Sequence, residues 1–585
     1  MTVPNITNIM LQLHSRFEYL YGSQADACMK RFQMMIGRYG IDTSYQSTFQ
    51  VLADGTQPAR GWSSADSILI TYGDSIVQEG EAPLETLRSF MMQRVGKTIT
   101  GIHILPFFPY TSDDGFSVQN YHEVREDLGG WMHIRRLARE YRVMGDVVIN
   151  HVSAQSNWFR DFKKGIAPAR DYFHVTEPSP ALDQVTRPRN LPLLTPVKTP
   201  MGPVHVWTTF SPDQIDLNFA NPDVLFEFLD IILLYISQGV SVLRLDAIAY
   251  LWKRVGTNCI HLPETHEVVK LIRNVLDLLA PHVTIITETN VPHAENVSYF
   301  GTGDEAHMVY QFSLPPLLLH ALLRGNARWL TQWAAGLQPA PDGCAYFNFT
   351  SSHDGVGVRP LEGLVPTEEF EYLVNAVLRR NGRVSNKKNP DGSESPYELN
   401  ITYYDALACE GGTDDGHQTD RFLCSQAIML SLQGVPGIYI HALTGSKNDL
   451  EGLACKGYNR AINRKQWQRR HLEHALDDEN TSTGQVFDRY LHLLKIRSAQ
   501  PAFDPAAEQK VLDLGDALFA HIRSSEEGTL LCLFNVTDAR VDVHVHAALP
   551  EAHRKEAYRD VISGDIRGRD GHVTLAPYDV VWLKV

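Results

Sequence analysis

Apolar and polar positions along this chain alternate in blocks. Short β-branched or apolar runs recur with segments of helical length between them, the order expected of a parallel α/β fold. Eight such runs stand out: SILITY from Ser67, ITGIHIL from Ile99, GDVVIN from Gly145, VSVLRLD ending at Asp246, VTIITE from Val283, MVYQFS from Met308, AYFNFT from Ala345 and GIYI from Gly437. Strands buried on both faces read as continuous apolar runs, and eight of them joined by helices predict an α/β chain closed into a (β/α)₈ barrel.

Two spacings break the alternation. Between Asn150 and the helix beginning near Pro222 lie about seventy residues rich in Pro and Arg, including RPRNLPLLTP from Arg187, too long for a simple βα connection. They predict an inserted subdomain over about 152–221. A second long segment, between the seventh and eighth runs, carries NKKNPDGSESPYELN from Asn386. Its turn-forming residues predict an active-site loop. Residues 1–60 are predicted as an N-terminal helical extension, 61–507 as the barrel, and 508–585 as a C-terminal antiparallel β-sandwich, from short alternating runs such as TLLCLFNVT and VVWLKV.

Composition narrows the class. Hydrophobic residues at 43% and charged residues at 21% of 585 describe a soluble globular protein. The net charge of −15 repels phosphate backbones and anionic lipid, which excludes nucleic acid and membrane as partners and leaves small molecules. The longest stretch without an ionised side chain, Phe422 to Ser446, holds Gln433, Pro436 and His441 and makes a poor membrane span. MTVPNITNIMLQLHSRFEYLYG lacks the basic start and apolar block of a secretory signal, so a cytoplasmic monomer or homodimer is expected. Seven cysteines, an odd number without a C-x-x-C pair, fit a reducing compartment and no zinc cluster. The glycosylation sequon at Asn348 lies inside a predicted strand. Gly96-Lys97-Thr98 imitates a phosphate loop but leads into an apolar run where that loop opens a helix, and Asp304-Glu305-Ala306-His307 is an isolated match.

Barrel enzymes place their chemistry at the C-terminal ends of strands. Four runs end in polar residues: Asp146 to Asn150 and His151, Arg244 with Asp246, Glu288 with Asn290, and, after the seventh, Ser352-His353-Asp354. A lone Asp or His at a strand end is usually a cap or a satisfied core group; four such ends on one barrel converge on a site. Arg244 and Asp246 are two apart and share a face, so the guanidinium holds the carboxylate ionised and oriented, as a nucleophile requires. Glu288, on the next strand, lies where a carboxyl at roughly 5 Å would serve a retaining glycosidase as proton donor.

In order, DVVINH, RLDAIA, ITETN and SSHD resemble the four signature regions of glycoside hydrolase family 13, the α-amylase family. That resemblance covers nearly the whole chain and implies Asp246 as nucleophile, Glu288 as acid/base and Asp354 as transition-state stabiliser. Arg244, His151 and His353 would support the glucosyl ring. LPFFPYTSDDGFSVQNY from Leu105 and GYNRAINR from Gly457 are similar to the sucrose phosphorylase subgroup, which implies that Asp113 and Arg464 close the glucose pocket and that Phe210 and Gln214 line it. The same subgroup implies no calcium or other metal and no cofactor, with inorganic phosphate as co-substrate. On the acceptor side Glu398 and Asn290 stand where sucrose phosphorylases carry Gln and His, and several long blocks resemble glucosylglycerate phosphorylases. Arg189, Asn290, Tyr397 and Glu398 are then the candidates for binding phosphate and glycerate, with Arg187, Lys387 and Lys388 as weaker ones. Sucrose, sucrose 6-phosphate or glucosylglycerol as substrate, hydrolysis, and transglucosylation remain alternatives.

Overall fold

The computed structural model describes residues 6–38, 61–389, 392–412 and 415–585. At its centre eight parallel strands close into a barrel: β1 (Ile68–Thr71), β2 (Gly101–Ile104), β3 (Arg142–Val148), β4 (Val240–Asp246), β5 (Thr284–Thr287), β6 (Met308–Tyr310), β7 (Ala345–Phe349) and β8 (Val435–Tyr439). Each pairs with its neighbours in sequence, and β8 closes on β1. Nearly every strand residue is buried, the consequence of helices covering the outside and side chains filling the inside. Gly437 on β8 marks how tightly the interior is filled, since a Cβ there would lie 2.4 Å from the Phe347 ring of β7.

Register decides which strand-end residues meet. Asp146 of β3 stands beside Arg244 of β4, and Thr287 of β5 beside Leu245, so Glu288 follows directly next to Asp246. The helix Pro222–Ser237 begins with an Asn221 cap and a proline in its first turn, and returns the chain to β4.

Residues 151–221 make an excursion above β3. His151–Ser153 pairs antiparallel with Gln214–Asp216, Leu194–Thr199 pairs with Gly202–Trp207, and Leu182, Val185, Leu193 and Trp207 pack with Cys259 into a small apolar core. Between β7 and β8, Val356–Gly357, Arg383–Lys388 and Glu394–Asn400 form a three-stranded sheet. It presents Tyr397 and Glu398 to the barrel mouth.

The expected helical extension contains helices Ile6–Tyr21 and Ala25–Arg38, while residues 39–60 lie outside the described residues. Arg16 reaches Glu267 and Asn274, and Phe17 stacks on Phe226, so these helices pack on the barrel's outer ring. At the C-terminus, where a β-sandwich was expected, eight strands hydrogen-bond into an antiparallel sheet. Period-2 alternation gives it two apolar faces: in Gly528–Asn535, Leu530, Cys532 and Phe534 join the barrel's core, whereas Leu531 and Leu533 face the domain's own. Among the described residues no helix is long and apolar enough to cross a membrane. The GKT sequence leads from a tight turn into β2, and Asp304 and buried Glu305 pair with Lys270.

Candidate active site

Arg244 anchors the floor of a cavity at the C-terminal ends of the strands. Its Nη1 donates to Asp146 and, at 2.7 Å, to Asp246 Oδ1, and its Nη2 lies 3.9 Å from Glu288 Oε2. Asp146 is further held by His103 at 2.7 Å; burial would push its carboxyl up, but His103 and Arg244 outweigh that and hold it down at about 2. Ala247 has φ +52, the left-handed region that a non-glycine residue seldom adopts. That turn lets its N–H donate to Glu288 Oε2 at 3.1 Å, so the residue after Asp246 orients the second carboxyl.

Burial pushes the carboxyls of both Asp246 and Glu288 upward, with Arg244 opposing the shift in each. The two titrate as a pair that holds one proton above the ordinary carboxylate range. The guanidinium touches Asp246 directly and Glu288 only at 3.9 Å. That contact favours the charge on Asp246 and the proton on Glu288, although burial raises the Asp246 carboxyl further than the Glu288 carboxyl.

On the opposite wall stands Asp354. Burial would raise its pKa, but Arg460 at 2.5 Å and Arg464 at 3.8 Å outweigh that and hold it below the usual range. His353 stacks on Phe116 with ring centroids 4.9 Å apart. Burial, reinforced by Arg464, Arg244 and Arg460, keeps its ring neutral. His151 is also kept neutral by burial, with Nε2 2.9 Å from the Phe116 carbonyl. Gln214 Nε2 lies 3.1 Å from that nitrogen and donates to Asp113 Oδ2 at 3.3 Å, while Phe210 packs its ring 5.2 Å from His151.

Arg464 stands one layer back from the position the sequence suggested. It donates to the His353 carbonyl at 2.8 Å and to Asp114 at 2.7 Å, and the arginine that lines the cavity near Asp113 is Arg460. GYNRAINR holds both arginines four residues apart, so the motif points to the region without choosing between them. Glu398, expected to meet the acceptor, spends both carboxylate oxygens on Arg460, at 3.0 and 2.7 Å, and Oε1 also accepts from Asn400 at 2.6 Å. Lys253 was not anticipated either. Its Nζ lies 2.7 Å from both Asn150 Oδ1 and Asp216 Oδ2, tying the excursion above β3 to the barrel.

Pro188, Arg189, Asn290 and Tyr397 complete the cavity's outer part. Among the described residues Arg189 makes no hydrogen bond or ion pair, whereas Arg244 and Arg460 are each committed to two carboxylates. Tyr397 is pushed up to about 12 by burial, against the pull of Arg189, and stays a neutral phenol. Arg187, Lys387 and Lys388 do not line the cavity. Among the described residues no group of three or more His, Cys, Asp or Glu side chains converges as metal ligands. A separate cleft lined by Trp333, Tyr346, Asn348 and Gln433 opens at the other end of the barrel and holds none of these groups.

Residues 92–335 match the alpha-amylase catalytic domain, and 520–583 match the C-terminal immunoglobulin-like domain of D-apionate lactonase. Over 530 residues the sequence is 47% identical to glucosylglycerate phosphorylase of Spirochaeta thermophila, an alignment covering 88% of this chain and 89% of the relative. The chain belongs to the α-amylase family, in its glucosylglycerate phosphorylase group. The corresponding Escherichia coli (strain K12) member of that group is 42% identical over 526 residues, 89% of this chain and 92% of its own. The crystal structure of sucrose 6F-phosphate phosphorylase from Thermoanaerobacter thermosaccharolyticum superposes with a TM-score of 0.70 at 24% identity, covering 81% of this chain and 94% of that one. That likeness shows the shared fold.

Proposed function

We propose that this protein is a retaining phosphorylase that converts glucosylglycerate and phosphate into α-D-glucose 1-phosphate and D-glycerate. In the first step the Asp246 carboxylate attacks the anomeric carbon while Glu288 gives its proton to the glycosidic oxygen. The bond to glycerate breaks, leaving a β-glucosyl ester on Asp246 and a carboxylate on Glu288. In the second, Glu288 takes the proton of hydrogen phosphate as a phosphate oxygen attacks the same carbon and displaces Asp246. Two inversions give net retention. Asp354, held ionised by Arg460, faces the positive charge that develops on the ring at each step.

The observation that carries the phosphorylase reading is Arg189. Among the described residues it is a lining cation left unpaired, while the other cations of the cavity are spoken for, so the outer part of the cavity suits an anion that arrives and leaves. Phosphate and the carboxylate of glycerate meet that requirement in turn. The relatives named glucosylglycerate phosphorylase support the choice of glycerate. No cofactor takes part; inorganic phosphate is the co-substrate, and the reaction belongs to the cytoplasm.

The test is product formation from glucosylglycerate with and without phosphate. We expect α-glucose 1-phosphate, and only with phosphate present. Free glucose released at the same rate without phosphate marks a hydrolase. In the synthetic direction glycerate is expected to be preferred over glycerol, fructose and fructose 6-phosphate, and preference for one of those reassigns the acceptor.

A further inference from the structure

His103 stands between Ile102 and Ile104 on β2, buried inside the barrel, and the steps proposed above do not use it. Its Nε2 lies 2.7 Å from Asp146 Oδ2 on β3, while its Nδ1 is buried with no partner among the described residues. An imidazole with one nitrogen unpaired is a costly way to fill an apolar interior, and a leucine would fill it without that cost. What the residue contributes is its contact with Asp146.

Although burial works against it, His103 and Arg244 hold Asp146 ionised. A carboxylate only accepts, so the His103 Nε2 carries the proton and donates. The two partners take one oxygen each: His103 binds Oδ2 and Arg244 Nη1 binds Oδ1. Nη1 also donates to Asp246 Oδ1, at 2.7 Å. A row of four polar side chains thus crosses the neighbouring strands β2, β3 and β4 and ends on the nucleophile. The Arg244 Nε is buried with no partner among the described residues, so the guanidinium has an N–H left to give. Were Oδ2 free, Asp146 would take a second guanidinium N–H in a fork, the strong form of this pair, and draw Arg244 off Asp246.

Resting on the reading of Asp246 as nucleophile, we infer that His103 is a positioning residue: by occupying one oxygen of Asp146 it keeps Arg244 on the nucleophile. It touches neither substrate nor reacting atoms and acts through two other side chains. The groups that face Asp246 are Arg244 on its own strand, Asp146 of β3, Glu288 after β5, Asp354 after β7 and the Tyr121 phenol after β2, and His353 faces Asp146. Burial favours the protonated form of Asp246 and Arg244 opposes it. With the guanidinium drawn away, the carboxylate forms only at higher pH, and activity that needs it begins at higher pH.

α-Glucosyl fluoride isolates this step. The Asp246 carboxylate forms the glucosyl ester as the C–F bond breaks, and fluoride leaves without a proton from Glu288. The acid limb of kcat/KM for fluoride release therefore reports the ionised nucleophile, whichever acceptor follows. In His103→Leu that limb is expected to move up by about one pH unit. His103→Gln, whose amide N–H can replace the Nε2 donor, is expected to restore most of the shift. A general loss of folded enzyme lowers the rate at every pH and leaves the limb in place. An unmoved limb in His103→Leu, or an equal shift in His103→Gln, overturns the assignment. Cleavage of glucosylglycerate that needs no phosphate overturns the phosphorylase reading instead, and does not enter this measurement.

Discussion

Removing the Arg460 guanidinium tests how the cavity manages its charges. Five carboxylates line it, Asp113, Asp246, Glu288, Asp354 and Glu398. Arg460 serves Asp354 at 2.5 Å and Glu398 at 3.0 and 2.7 Å, and lies 3.8 Å from Asp113. Arg460→Met keeps much of the side-chain volume and leaves Asp354 and Glu398 unpaired. Breaking a buried pair in this way costs about 3–5 kcal/mol. Because the arginine now holds both carboxyls below their usual range, the stabilisation it supplies is present above the unfolded-state carboxylate pKa and is lost as pH falls through the depressed folded-state values. The deficit of the variant in urea unfolding is therefore expected to be full at pH 7 and to shrink below about pH 4. Asp354 must be ionised to meet the developing charge, so the acid limb of kcat/KM is expected to move upward in pH in the variant. Adding Glu398→Gln removes one stranded charge and is expected to restore about 1–3 kcal/mol, read as the coupling energy of a double-mutant cycle. Equal stability of wild type and Arg460→Met at pH 7, or an unmoved acid limb, refutes this account of the wall.

Four further outcomes follow from the same geometry. Asp246→Asn is expected to abolish turnover, since an amide forms no glucosyl ester, and near-normal rates reassign the nucleophile. Glu288→Gln is expected to lose phosphorolysis of glucosylglycerate while keeping glucosylation by α-glucosyl fluoride, whose leaving group needs no proton. Burial raises the Glu288 carboxyl, and the acid must be protonated to act, so wild-type activity should fall as pH rises through that raised value and hold below it; a rate that climbs steadily to pH 9 contradicts it. Arg189→Ala removes charge-assisted hydrogen bonds of about 1.5–3 kcal/mol and is expected to raise KM for phosphate and for glycerate by roughly tenfold or more, with uncharged glycerol affected much less. Equal losses for glycerate and glycerol would show that Arg189 does not hold the anion.

The barrel was legible because a parallel strand covered on both faces is a continuous apolar run, a signal contained within a few residues, and because chemistry in such a barrel stands at strand ends. Asp246, Glu288, Asp354, His151 and His353 could be named for that reason. Where two strand ends lie side by side, register follows from the fold, and Arg244 meets Asp246 through a spacing of two residues on one strand. What the sequence left open was pairing between distant loops. Arg460 and Arg464 are indistinguishable in GYNRAINR until the loop path puts one against Asp354 and Glu398 and the other behind His353. Lys253 meets Asp216 and Asn150, and Arg189 meets no partner among the described residues, for the same reason. The C-terminal strands were visible as alternating runs, but their order in the sheet depends on hydrogen bonds between strands. Charged side chains carry no local mark of their partners, because an ion pair in a cavity is set by the meeting of loops whose sequence separation, from Arg460 back to Asp113, spans most of the barrel; only the packed tertiary structure decides it.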